Sequence, residues 1–214
     1  MKNNKSKKIA KNTLFMYFRM LFLLFISLFT VRIVLKNLGV EDYGIYNLIA
    51  GVVVLFNFIS NSSSASTSRY LNYALGEKNL TKAKSIYSCS FIIHFFIALL
   101  VVILLETIGL WLLNNYLVIP KERLTIANYV FQFSVLTTAI NIINIPNNAS
   151  IIANEKMSFY AIVSIVEGII KLFIAYILVV EKGDKLFTYG LLIAITSVII
   201  FTINLIYVRT KFEM

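Results

Sequence analysis

The chain has 214 residues, 59% of them hydrophobic and 14% charged, with a mean hydropathy of +0.82. A water-soluble domain is roughly a quarter charged, so this composition excludes one; charges confined between long apolar runs mark a polytopic membrane protein. The net charge of +10 sits at the ends of those runs, where basic residues orient helices, and nucleic acid is excluded as a partner.

Residues 1–11 form a basic cytoplasmic N-terminus carrying Lys2, Lys5, Lys7, Lys8 and Lys11. The apolar stretch that follows exceeds the roughly 7 to 15 residues of a signal-peptide core and is predicted to be a retained helix. Six stretches supply the about 20 apolar residues a span needs: 12–35, 43–64, 87–112, 126–145, 159–180 and 186–208. The second dissolves after Ile59 into the polar run 61–68, NSSSASTS. The predicted fold class is an all-α integral membrane protein, a six-helix bundle over 12–208 with both termini cytoplasmic and a short tail at 209–214.

With the N-terminus inside, Lys2, Lys5, Lys7, Lys8, Lys11, Arg69, Lys78, Lys82, Lys84, Lys156, Arg209 and Lys211 are cytoplasmic. Only Lys36, Lys121, Arg123, Lys182 and Lys185 are external, and twelve against five fixes the orientation. The external connections carry Glu41 and Asp42, Glu122, and Glu181 and Asp184; each reads as a turn. Pro120 precedes the turn that starts the fourth helix, and Pro146 is expected to kink or end that helix. One cysteine, Cys89, allows neither an intrachain disulfide nor a thiol cluster. No metal-ligand spacing, nucleotide-cradling loop or nucleophile–base pair is present in the sequence, so neither a cofactor nor an enzymatic site is expected.

Polar residues at bilayer depth are costly unless they face other helices or water. Spacings of four, three and four mark one helix face: Asn57, Asn61, Ser64 and Ser68 on the second span; Thr137, Asn141, Asn144 and Asn148 on the fourth; Tyr160, Ser164, Glu167 and Lys171 on the fifth. Amide and hydroxyl side chains glue helices together, but three stripes with a Glu and a Lys supply more donors and acceptors than dry seams satisfy, and favour a partly hydrated cavity. Glu167 and Lys171, four apart, are either a neutralised pair or working groups, Lys171 for an anion and Glu167 for a coupling proton or cation. Arg19 either snorkels to the cytoplasmic face or points inward at a phosphate. Arg32 and Glu106, near outer helix ends, are expected to snorkel. His94 shares a face with Tyr87 and Ser90, as a proton sensor for coupling or as an ordinary hydrogen-bonded histidine.

The turn Leu38-Gly39-Val40-Glu41-Asp42-Tyr43-Gly44 resembles the LG-x-x-x-YG motif of bacterial polysaccharide flippases of the O-antigen type. Ser68, Arg69, Tyr70 and Leu71, with Gly76 and Glu77 beyond, are similar to that family's first cytoplasmic loop, and the resemblance covers roughly the first 85 residues. These flippases belong to the multidrug, oligosaccharidyl-lipid and polysaccharide exporter superfamily. The resemblance implies two bundles around a central cavity that move a polyprenyl-diphosphate-linked oligosaccharide across the bacterial cytoplasmic membrane by alternating access, for cell-surface polysaccharide synthesis. It implies a diphosphate met by Arg19, Arg69 and Lys171, and sugar hydroxyls met by Asn57, Asn61, Ser64, Asn141, Asn144 and Asn148. Full members have about twice as many helices, so the chain is expected to be an N-terminal lobe completed by a missing C-terminal lobe or by a second copy as a homodimer. Its other partners would be the lipid-linked oligosaccharide and membrane lipids. Gly39 and Gly44 would serve positive backbone angles or close packing, or a plain helix stop; Arg69 would be a headgroup site or a topology anchor. Alternatives are a drug or metabolite exporter of the same superfamily, and a membrane enzyme or scaffold of polysaccharide assembly.

Overall fold

The computed structural model of the chain describes residues 2–55 and 57–212, with side chains described for 13–55 and 63–212. All regular structure among the described residues is helical, as it must be where lipid offers no partner to backbone N–H and C=O groups. The protein is a multi-pass membrane protein: five helices are long and apolar enough to cross a bilayer, and the first of these, Thr13–Val54, holds 42 residues, about twice what one crossing requires.

That length is divided by Gly39. Helix α1 (Lys2–Val54) breaks there, with φ 79° and ψ 171°, a conformation essentially reserved for glycine, so one residue turns the chain from the first span into the second. Gly44 does not share this role: it has no positive φ, and a side chain there would meet open space. The second span consists of residues 40–54 and α2 (Asn57–Gly76), longer than the predicted 43–64 because its serine-rich half is helical. Asn79 caps α3 (Leu80–Leu104), its Oδ1 accepting from the Lys82 N–H at 2.9 Å. A π-turn over Leu105–Gly109 and α4 (Leu110–Asn115) complete the third span. Glu106 accepts a hydrogen bond from Gln132 Nε2 at 3.1 Å on the next span; Arg32 is exposed.

The fourth span is α5 (Leu124–Ile143) and α6 (Ile145–Ala153). Pro146 has no N–H to give the preceding turn, so the helix bends at Asn144 and continues. The fifth and sixth spans are α7 (Met157–Val180) and α8 (Lys185–Phe212). Gly168 lets α1 back closely onto α7: a Cβ there would lie 2.7 Å from Leu23 Cδ2.

Each end of the bundle has its own fastening. At the external end Arg123, the residue before α5, bonds both carboxylate oxygens of Asp42 from the first turn, with Nε to Oδ1 at 2.8 Å, and reaches Asp184 from the third. Asp42, against burial's opposite pull, holds Arg123 above its ordinary pKa, so the guanidinium keeps its charge. Three turns predicted to share one side of the membrane thus meet at one residue. At the opposite end, Leu71, Tyr87, Ile151 and Val208 form a small buried cluster, beside which Phe159 and Tyr207 stack at 3.5 Å between ring centroids.

Candidate functional site

The polar face of α7 is the centre of the site. A cavity of about 140 Å³ lies between α7, the α5–α6 span and α8, and all eight residues of the stripes predicted on the fourth and fifth spans line it. On the other flank of α7 a more open groove of about 310 Å³ runs along α1, with Ser27 and Thr30 facing Ser164, Glu167 and Lys171. The same three α7 residues are therefore reached from both sides.

Glu167 and Lys171 form an ion pair at 2.6 Å. Glu167 stands ten residues into α7, about 15 Å along the axis, which places the pair deep in the bilayer. Pairing lowers the cost of both charges there, yet the side chains remain 36% and 43% exposed. A charge pair open to a cavity at this depth is available to a ligand.

Arg19 points inward. Its Nη1 donates to Ser164 Oγ at 3.2 Å, and its guanidinium lies 4.8 Å from the centroid of the Tyr160 ring. Ser164 can accept because its own hydroxyl proton goes to the Tyr160 carbonyl at 2.9 Å. No carboxylate among the described residues pairs with Arg19, and its Nε is buried with no partner. Thr137 Oγ1 in the cavity and Thr30 Oγ1 in the α1 groove are also buried without partners among the described residues. Buried polar groups are normally satisfied; three unsatisfied ones gathered around one helix face make it the candidate site.

The amides divide by burial. Asn144 accepts from Asn147 Nδ2 at 3.1 Å, and Asn147 Oδ1 accepts from Tyr87 O–H at 2.6 Å; this string is buried. Asn148 accepts from Asn204 Nδ2 of α8 at 3.3 Å. Asn141 has an exposed side chain facing the cavity. Asn147, Asn204, Thr196 and Ser197 were not foreseen. The last three share one face of α8, a signal present in the sequence but thinned by the isoleucines between them; Asn147 stands three residues beyond Asn144, a spacing the sequence does carry.

The second-span residues are not gathered here. Arg69 is exposed on α2, 6.0 Å from the Tyr73 ring centroid, and Ser64 is half-buried on the same helix; neither lines the α7 cavity. The side chains of Asn57 and Asn61 lie outside the described residues. His94 is buried between α2 and α3, bonded to Ser90 and away from Glu167. Of the turn motif, Leu38 is buried in the core, Tyr43 packs against it, and Gly39 makes the turn.

No protein-family model and no curated protein matches the sequence. Among solved structures, the chain is similar to the outward-facing conformation of a multidrug resistance MATE family transporter of the MOP superfamily, with a TM-score of 0.76 at 13% identity. The similarity covers 94% of this chain and 45% of that one, so the chain spans less than half the length of the transporter it matches. At this identity the likeness is one of fold.

Proposed function

We propose that the chain is one lobe of a membrane transporter that moves a lipid-linked oligosaccharide across the cytoplasmic membrane of a bacterium by alternating access. The observation that carries the proposal is Arg19, a guanidinium with no carboxylate partner among the described residues, held over Tyr160 and Ser164 at the edge of a cavity lined by amides and hydroxyls. Such a cation suits a diphosphate. Lys171 adds a second positive group once Glu167 takes up a proton or cation, and Asn141 and Asn148 offer donors and acceptors to sugar hydroxyls. The cavity is too small for an oligosaccharide, since sites for drug-sized ligands run to about 300–1,000 Å³. The lobe therefore supplies one wall of the passage, and a second lobe, from further chain or from a second copy, supplies the other. Likeness to less than half of a transporter supports this division.

The test is replacement of Arg19 and Lys171 by alanine in the complete transporter in its native host, with surface polysaccharide and membrane insertion both measured. Polysaccharide is expected to fall at least about tenfold in each, the effect of about 1.4 kcal/mol, with insertion unchanged. Normal polysaccharide in both variants removes the lipid-linked sugar as substrate; loss of resistance to cationic compounds in its place identifies a drug exporter.

A further inference from the structure

The α2–α3 groove lies away from the α7 cavity and has its own unmet polar atom. His94 is 3% exposed. Its Nδ1 lies 2.7 Å from the Ser90 carbonyl oxygen, which can only accept, so Nδ1 carries a proton, and in the tautomer this fixes, Nε2 is a bare acceptor. That Nε2 is buried and has no partner among the described residues. Ser90 Oγ, 3.0 Å from Thr67 Oγ1, ties the histidine to α2, so the ring is held from both helices.

Beside the ring, the groove encloses about 470 Å³. Its walls carry the hydroxyls of Ser63, Ser66, Ser85 and Tyr70, with Ile86 and Ile93 between them, and no charged side chain among the described residues lines it. Ile92 and Ile93 are each 56% exposed on the lipid-facing surface of α3. Ser66 and Ser85 stand within about three turns of the connection between α2 and α3, which the charge distribution places on the cytoplasmic side.

These features define a ligand. It must donate a hydrogen bond to Nε2, it meets hydroxyls rather than charges, and its remainder lies against isoleucine and lipid. A cation would find no carboxylate in the groove and an anion no basic group. We propose that the α2–α3 groove binds the hydroxylated headgroup of an uncharged amphiphile from the cytoplasmic leaflet, with one headgroup hydroxyl donating to His94 Nε2. The site is independent of the transport reading, which rests on α1 and α7.

Cys89 lines the groove, is exposed, and is the chain's one cysteine, so its alkylation by N-ethylmaleimide reports occupancy. The protein in phospholipid nanodiscs is treated with octyl glucoside below its micelle concentration, and separately with octyl phosphate and methyl glucoside. Octyl glucoside is expected to slow alkylation saturably, while the other two leave it unchanged. His94→Leu is expected to raise the half-protecting concentration about five- to tenfold, the worth of one hydrogen bond to a buried acceptor; His94→Gln, which keeps an acceptor, is expected to retain most of the protection. Ser66 and Ser85 are exposed, so the double Ser66→Ala/Ser85→Ala variant loses headgroup contacts without disturbing the core and should weaken protection about threefold. Protection by octyl phosphate or methyl glucoside equal to that by octyl glucoside overturns the proposal. So does protection that survives intact in His94→Leu or, where that variant does not fold, in the double serine variant.

Discussion

Glu167 and Lys171 illustrate how far a polar residue's neighbours decide its cost in lipid. Several hydroxyls of the bundle are satisfied within their own helix, as Ser134, Thr138 and Thr196 are by carbonyls four residues earlier, so these reveal nothing about a ligand. Among the described residues the charge pair has only itself. Removing one member leaves the other unneutralised at depth, whereas removing both leaves an amide and a thioether. Lys171→Met alone is therefore expected to lower stability by about 1–3 kcal/mol, with Glu167→Gln/Lys171→Met recovering more than half of the loss; thermal unfolding in detergent would show it, and a double variant less stable than the single one would contradict it. The pair was legible from its spacing of four. The direction of Arg19 was not, because snorkelling and inward pointing leave the same sequence; Tyr160 and Ser164, 141 and 145 residues further on, decide it.

Among the elements, hydropathy located the helices but not their breaks. A glycine in the LG-x-x-x-YG turn announces a change of direction, yet nothing local distinguishes Gly39, which needs a positive φ, from Gly44, which does not. The two should respond oppositely to the same substitution. Gly39→Ala meets no neighbour within 4 Å, so its cost is purely conformational, about 1–3 kcal/mol. Gly44→Ala lies in helix with open space around it and is expected to stabilise by up to about 1 kcal/mol. Melting midpoints of both variants that move the same way would refute this account of the turn. The serine-rich half of the second span escaped a hydropathy criterion because its partner is protein: α2 packs on α6, with Thr67, Leu71 and Ala74 buried. Pro146 could be recognised as a breaker, but its outcome, a bend with nine further helical residues in α6, depends on burial among neighbouring helices that no local pattern records.

For the molecule as a whole, the charge count that oriented the helices also placed Asp42, Arg123 and Asp184 on one side, although their meeting at a single guanidinium was invisible because each lies in a different turn. Side-chain exposure of 26% at Arg123, 13% at Asp42 and 26% at Asp184 puts the cluster between a surface pair and a buried one. Arg123→Gln is expected to cost about 1–3 kcal/mol, and adding Asp42→Asn should cost little more, since the partner it removes is already idle; additive losses in thermal unfolding would show that the two act separately. The cluster also imposes an order on biogenesis. As the chain is threaded into the membrane, Asp42 crosses first, Arg123 next and Asp184 last, so a nascent protein with four helices inserted holds its arginine by one carboxylate alone. Only the crossing of the hairpin formed by α7 and α8 brings Asp184 to the lock, and a chain halted before it is expected to leave that face latched by a single carboxylate.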